Sequence, residues 1–248
     1  MKKKYIIMIT CGILATLSLI FTIFSNCIWD VIWNIVAMIG SGVLCSAIVS
    51  WRVEAANLRE QKANINKQRE FITMSTRIWM KQVLALEIQK TSGYLHLHNP
   101  QSFTFCSQEM KIGEINKLLL SCIEKAKEKM SLDDEQPIVD AENERKKHGF
   151  LCNQIMPYYT VLNNRIADII ENSSFFFING IFSEEEIKDL ASLKNLVESI
   201  VNEADWYDRH GLIEYKKIFY EKYKKYAALF GITEEEKIEI CYYKELDT

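Results

Sequence analysis

Hydrophobic and polar positions are unevenly distributed along this chain. Between Lys4 and Arg52 the only charged side chain is Asp30, which separates two apolar runs, Tyr5 to Ser25 and Val31 to Trp51. Each run can cross a bilayer, because about 20 helical residues cover the ~30 Å hydrocarbon core. From Arg52 onward the chain is rich in Lys and Glu, yet no glycine or proline occurs from Val43 to Thr91 to mark the change. The pattern predicts a two-helix transmembrane hairpin over residues 1–51, with helices over about 5–25 and 31–51. The second helix should run on as a helical stalk over 52–92. Fully helical, the stretch without glycine or proline would be about 75 Å long.

Leu58, Ile65, Ile72, Trp79 and Leu86 recur at intervals of seven and give the stalk one packing seam. Gln61, Gln68, Ser75, Gln82 and Gln89 stand where a coiled coil wants its second apolar residue. The seam suits a helix lying on its own domain, or loose self-association, better than a zipper. Gly93 to Phe105 reads as the first break, and residues 93–248 as a mostly helical cytoplasmic domain. Helices are expected from Met110 to Ala126, from Phe150 to Glu171 around Pro157, and along EYKKIFYEKYKKYAALF. Ser131 to Pro137 reads as a loop, and SSFFFINGIF as a buried connection or a brief strand. Two capping boxes predict helix starts, Ser183 with Glu186 and Thr233 with Glu236. The fold class is all-α.

Averages conceal this division. A mean hydropathy of -0.08 and a net charge of -3 describe neither part of the chain. The placement of charge is more informative. Lys2, Lys3 and Lys4 precede the first run, and Arg52, Arg59, Lys62, Lys67 and Arg69 follow the second, while the turn from Asn26 to Asp30 has no basic residue. The positive-inside rule then predicts a multi-pass inner-membrane protein with both termini cytoplasmic. MKKK before an apolar run also fits the start of a signal peptide. The run exceeds the roughly 7–15 residues of such a segment and no A-x-A-like cleavage site follows, so a retained helix is expected. The seven cysteines form no C-x-x-C pair and suit a reducing compartment.

No catalytic, cofactor-binding or metal-binding residue is expected. His96 and His98 lie two apart without a third ligand at suitable spacing. Asp205, Asp208, Arg209 and His210 form the densest polar cluster and read as a hydrogen-bonded helix end. No phosphate-binding, dinucleotide or nucleophile-elbow motif occurs. The chain reads as a non-enzyme, with a helical site near Asp208 and His210 as the enzymatic alternative.

The membrane runs carry more. Gly42, Ser46 and Ser50 form a small-xxx-small ladder, and Asn34, Ala37, Ser41 and Cys45 a mildly polar stripe beside it. Small residues let helices approach closely in lipid. Asn34, Ser41, Gly42, Ser46 and Ser50 are therefore expected to pack one hairpin, or to assemble several around a polar-lined path. No charge lies within the runs, so neither a proton relay nor an ion filter is indicated. Tyr215, Phe219, Tyr223, Tyr226 and Phe230 form an aromatic stripe that reads first as core. The alternative is a partner surface of Tyr215, Lys216, Lys217, Tyr223, Lys224 and Lys225, facing an anionic leaflet or a nucleic acid.

MKKK, two uncharged helices around SNCIWD, the WRVEAANLRE exit and a helical cytoplasmic domain together resemble the two-transmembrane effectors of bacterial anti-phage systems. These include the membrane proteins of retron and cyclic-oligonucleotide systems and of phage abortive infection. The resemblance lies in organisation. It implies a homo-oligomer in the bilayer, toxic by permeabilising the inner membrane once a cytoplasmic partner releases it. In a retron setting that partner would be a reverse transcriptase with its RNA–DNA product. The competing class is a membrane-anchored scaffold or sensor whose helical domain binds a cytoplasmic partner.

Overall fold

The structure is a computed structural model that describes Ile13, Thr16, Leu17, Ile20 and residues 29–134, 156–206 and 209–246. It is mostly helical, with seven helices and two strands among the described residues. In chain order these are α1 (Trp29–His98), β1 (Phe103–Lys111), α2 (Ile112–Asp134), α3 (Met156–Glu171), α4 (Ser173–Ile178), α5 (Glu184–Trp206), α6 (Arg209–Glu221), α7 (Tyr223–Leu229) and β2 (Lys237–Glu245). The chain divides into two compact units, Met1–Asn64 and Ile65–Thr248.

In the first unit α1 carries a window of 18 residues with mean hydropathy 2.0, none of it buried within the protein. It is the one helix among the described residues long and apolar enough to cross a membrane. This covers the second expected span. The first expected span and the turn after it lie outside the described residues, apart from Ile13, Thr16, Leu17 and Ile20, which are helical and exposed, and Trp29 and Asp30, which begin α1. The hairpin is thus not shown; a single apolar helix is.

In the second unit α1 buries one face. Thr73, Thr76, Met80, Val83, Leu84, Ile88, Thr91 and Leu95 follow intervals of three and four and are all buried. The expected seam borders that face, since Ile65, Ile72, Trp79 and Leu86 are half-buried against the same core. The seam is used within the chain. The break expected from Gly93 begins later, because α1 continues to His98 before a short 3₁₀ turn at Pro100–Ser102. Helices α3 and α5 pack together, and α6 packs on both α5 and α2. Pro157 is the second described residue of α3, and the expected residues 150–155 before it lie outside the described residues. Ser131 to Asp134 are helical and belong to α2, against the loop expected there. Residues 135–155 lie outside the described residues.

The all-α expectation holds broadly, and to it the structure adds one antiparallel pair, β1 with β2, with Cys106 opposite Tyr242 and Gln108 opposite Ile240. Three further expectations are corrected. Met110 accordingly ends a strand, and α2 starts at Ile112. The Thr233 box opens a turn into β2, not a helix. Its returning half forms, Thr233 N–H donating to Glu236 Oε1 at 2.9 Å. Beyond it, Ile238, Ile240 and Tyr242 alternate with polar residues, and that period of two wins. SSFFFI is helix α4, with only Phe176 of its apolar residues buried. The Ser183 box is borne out in full: Glu186 N–H donates to Ser183 Oγ at 3.2 Å and Ser183 N–H to Glu186 Oε2 at 2.8 Å.

Glu236 also binds α1. Arg77 Nη2 donates to its Oε2 at 2.9 Å and Lys81 Nζ at 2.5 Å. Partial burial pushes the carboxyl up, but hydrogen bonds from Lys81, the Thr233 N–H and Arg77 outweigh it and hold the pKa down at about 2. A carboxylate depressed in the folded state stabilises the fold above its unfolded pKa of 4.5, and that contribution is lost as pH falls toward about 2. Glu236→Gln should lower stability at pH 6 and flatten its decline between pH 4.5 and 2, read by denaturant unfolding across that range. An unchanged acid slope would show that this carboxylate is not a titrating tie.

Candidate functional site

The helix face expected to mediate membrane packing is open. Asn34, Ser41, Gly42, Ser46 and Ser50 are all exposed on α1. A Cβ placed on Gly42 would meet nothing within 4 Å. Ser41 Oγ donates to Met38 O at 3.0 Å, the back-bond by which a serine satisfies its hydroxyl inside a helix. Ser46, Ser50, Cys45, Val49, Val53 and Asn57 line a shallow groove along this face. Large apolar side chains share it: Met38 is 76% and Ile39 63% exposed. This is the surface of a helix built for a non-aqueous neighbour, with small residues where that neighbour can come closest.

The expected partner surface is corrected in its central members. Lys216 and Tyr223 lie in the interior. Tyr223 donates its hydroxyl to Met80 O at 3.1 Å, and burial pushes that hydroxyl's pKa well above its ordinary value. Tyr215 is half-buried against the core. The remaining lysines are each paired: Lys217 with Glu124 at 2.6 Å, Lys224 with Glu234 at 2.6 Å and Lys225 with Asp189 at 2.7 Å. The core reading of the aromatic stripe fits, as Phe219, Tyr223, Tyr226 and Phe230 are buried. The expected single helix, however, is divided at Lys222 into α6 and α7.

Lys216 belongs to a buried polar cluster that the sequence reading missed. Glu87 from α1 and Lys216 from α6 are both 0% exposed, with Lys216 Nζ 3.0 Å from Glu87 Oε1. The hydroxyls of Tyr159 on α3 and Tyr220 on α6 lie 3.1 Å apart beside them. Lys216 pairs with Glu87 by charge at this distance, and the hydroxyls of Tyr159 and Thr91 stand close to the same carboxylate. Burial pushes the Glu87 carboxyl up, while Lys216 and the hydroxyls of Tyr159 and Thr91 oppose the rise. Burial likewise raises Tyr159 and Tyr220 well above the ordinary phenol. A signal for this cluster was present. Glu87 falls between Leu84 and Ile88 on the buried face of α1, and Lys216 between Ile213 and Phe219 on that of α6. Closed to solvent, the cluster fixes how three helices meet and offers no surface to a substrate.

The other polar candidates do not converge. His96 stacks on Tyr243 with ring centroids 4.3 Å apart, and His98 Nδ1 bonds Tyr94 O at 2.9 Å. His210 is exposed near the start of α6, and Asp208 lies outside the described residues. Among the described residues, no group of three metal-ligating side chains is present. A groove of about 750 Å³ runs beside Phe71, Met74 and Ile78 of α1, closed by Phe230 and Gly231 and edged by Arg77. No protein-family model, no curated protein and no solved structure matches this chain.

Removing one member of a buried ion pair strands the other in low dielectric and costs about 3–5 kcal/mol, whereas replacing both by apolar groups is near neutral. Glu87→Leu or Lys216→Met alone should therefore destabilise by about that amount. The double variant should recover most of the loss in urea unfolding of the detergent-solubilised chain. Additive losses would mean the two charges act independently.

Proposed function

We propose that the chain is a membrane-embedded effector of the anti-phage, abortive-infection kind, in which the apolar segment damages the inner membrane when a cytoplasmic partner releases the folded unit. One observation carries the reading. The helix that holds an uncharged, uncovered window of 18 residues also supplies, further along, the buried helix of a folded unit. An anchor needs only the first of these. In an effector, the segment that meets lipid and the segment that meets a regulator belong to one helix.

In this reading both termini are cytoplasmic, the apolar segments form a two-helix hairpin, and copies associate through the face of Asn34, Ser41, Gly42, Ser46 and Ser50. The open space above Gly42 supports close approach of a second helix there. The lysines flanking the apolar runs support the orientation. The regulator is a cytoplasmic macromolecule, for which a reverse transcriptase with its RNA–DNA product is the retron-type instance. The reading assigns the chain no catalytic step.

Overproduction without the partner should depolarise cells, seen with a potential-sensitive dye. Gly42→Leu combined with Ser46→Leu should abolish that depolarisation while leaving the amount of protein in the membrane fraction unchanged. Full toxicity from the inserted double variant would overturn the effector reading. Replacing residues 1–51 with an unrelated hairpin gives the complementary test, since a scaffold keeps working after the exchange and an effector does not.

A further inference from the structure

Large exposed apolar side chains of the folded unit fall into distinct groups. Phe71, Met74 and Ile78 lie along α1, but Lys67, Glu70 and Arg77 stand among them, so water already solvates that face. Phe175, Phe177 and Ile178 differ. They are 62, 51 and 80% exposed, they sit on the single short helix α4, and no charged residue occurs from Asn172 to Ser183. Contiguous apolar exposure of this kind marks a surface that meets something other than water.

The backbone of this tip satisfies itself. Phe176 N–H donates to Asn172 O, Asn179 N–H to Phe175 O, Gly180 N–H to Phe177 O and Ile181 N–H to Phe176 O, at 2.8 to 3.1 Å. The side-chain amides of Asn172 and Asn179 fold back onto Asp168 O and Phe175 O, both at 2.8 Å. Gly180, at φ +69°, allows the chain to reverse that tightly. Paired peptide groups under an apolar surface are what entry into lipid requires, because an unpaired N–H or C=O cannot be desolvated cheaply.

Phe176 holds the tip to the domain, its ring 6.0 Å from that of Phe182. Phe182 in turn lies under the Arg69 guanidinium at 4.9 Å, and Arg69 bonds Glu186 at 2.6 Å. The tip is therefore fixed beside the first turns of the unit that begins at Ile65. Only residues 52–64 connect that point to the uncovered apolar run ending at Trp51. A bilayer holding the run is joined covalently to every copy of the folded unit, which raises its effective concentration at that unit's surface.

We infer that α4 is a second membrane contact, in which Phe175, Phe177 and Ile178 insert into the boundary between headgroups and acyl chains. The inference rests on the membrane reading above, and its occupant is lipid. From Asn172 to Ser183 the tip offers no charged group with which to form an ion pair to a protein partner.

The test is photo-cross-linking of the full-length chain in native membranes, with benzoylphenylalanine placed singly at Phe177, at Ile35 or at Leu246. Ile35 lies in the apolar window, and Leu246 donates its N–H to Ser102 O, just beyond the far end of α1. Lipid adducts should form at Ile35 and Phe177 and be several-fold scarcer at Leu246. Adding Phe175→Ser and Ile178→Ser should reduce the Phe177 adducts several-fold without changing those at Ile35. Adducts at Ile35 with none at Phe177, or capture of protein at Phe177, would overturn the tip contact and leave the membrane reading intact. No lipid at either position would overturn both.

Discussion

An uncharged helical stretch that the protein itself does not cover must be kept from water by something else. Val31 to Trp51 has no acidic or basic residue, and Ile35, Met38, Ile39 and Val49 are more than half exposed. Apolar side chains favour the bilayer centre by a few tenths of a kcal/mol each, while a single charge there costs about 2.5–3.5 kcal/mol. The window holds many of the first and none of the second. Charge returns only at Arg52, and the same helix then goes on, through Met80, Leu84 and Ile88, to become core. One secondary structure thus serves two solvents, and side-chain chemistry alone marks the exchange.

Within the folded unit, charges on α1 are tied to elements far along the chain. Glu186 closes the capping box of α5 and accepts from Arg69; Glu236 closes the turn before β2 and accepts from Arg77 and Lys81. In both cases a carboxylate already ordered by local backbone bonds is reused for a long-range pair. The ordering entropy of that side chain is then shared between two interactions, which makes a partly buried ion pair more favourable than an isolated surface one. Glu87 and Lys216 do the same work with different physics. Their desolvation is complete, so the pair adds little net stability but penalises any packing in which α1 and α6 fail to meet in register.

How far the sequence discloses this architecture depends on which signal was local. The apolar window and the Ser183 capping box are short-range facts, and both appear as read. β2 was also legible, because Ile238, Ile240 and Tyr242 alternate with Lys237, Glu239 and Cys241. It was missed because TEEEK imitates a helix start, and half of that box does form. β1 offered less: Phe103, Cys106 and Met110 lack a clean alternation, and the strand exists because β2 pairs with it. Lys216 shows the limit of reading by residue type. A lysine counts as surface until Glu87 is brought to 3.0 Å from it by a contact 129 positions away in sequence. On the apolar window, the sequence alone marked Gly42 and Ser46 as small; the open space at Gly42 is a structural fact.

The way α1 spends its apolar residues also decides where association between copies can occur. A coiled coil needs apolar positions sustained over at least three or four heptads. Among the described residues, the series Ile65, Ile72, Trp79 and Leu86 packs against the chain's own core. The outward residues Phe71, Met74 and Ile78 cover about one heptad, and Lys67, Glu70 and Arg77 interrupt them. From Ile65 onward that seam is occupied within the chain. In the oligomeric reading proposed above, association would come from the apolar window, where close packing of small residues replaces the hydrophobic effect as the source of affinity. Under that reading the contact falls at Gly42 and Ser46, on a face of α1 that stands open.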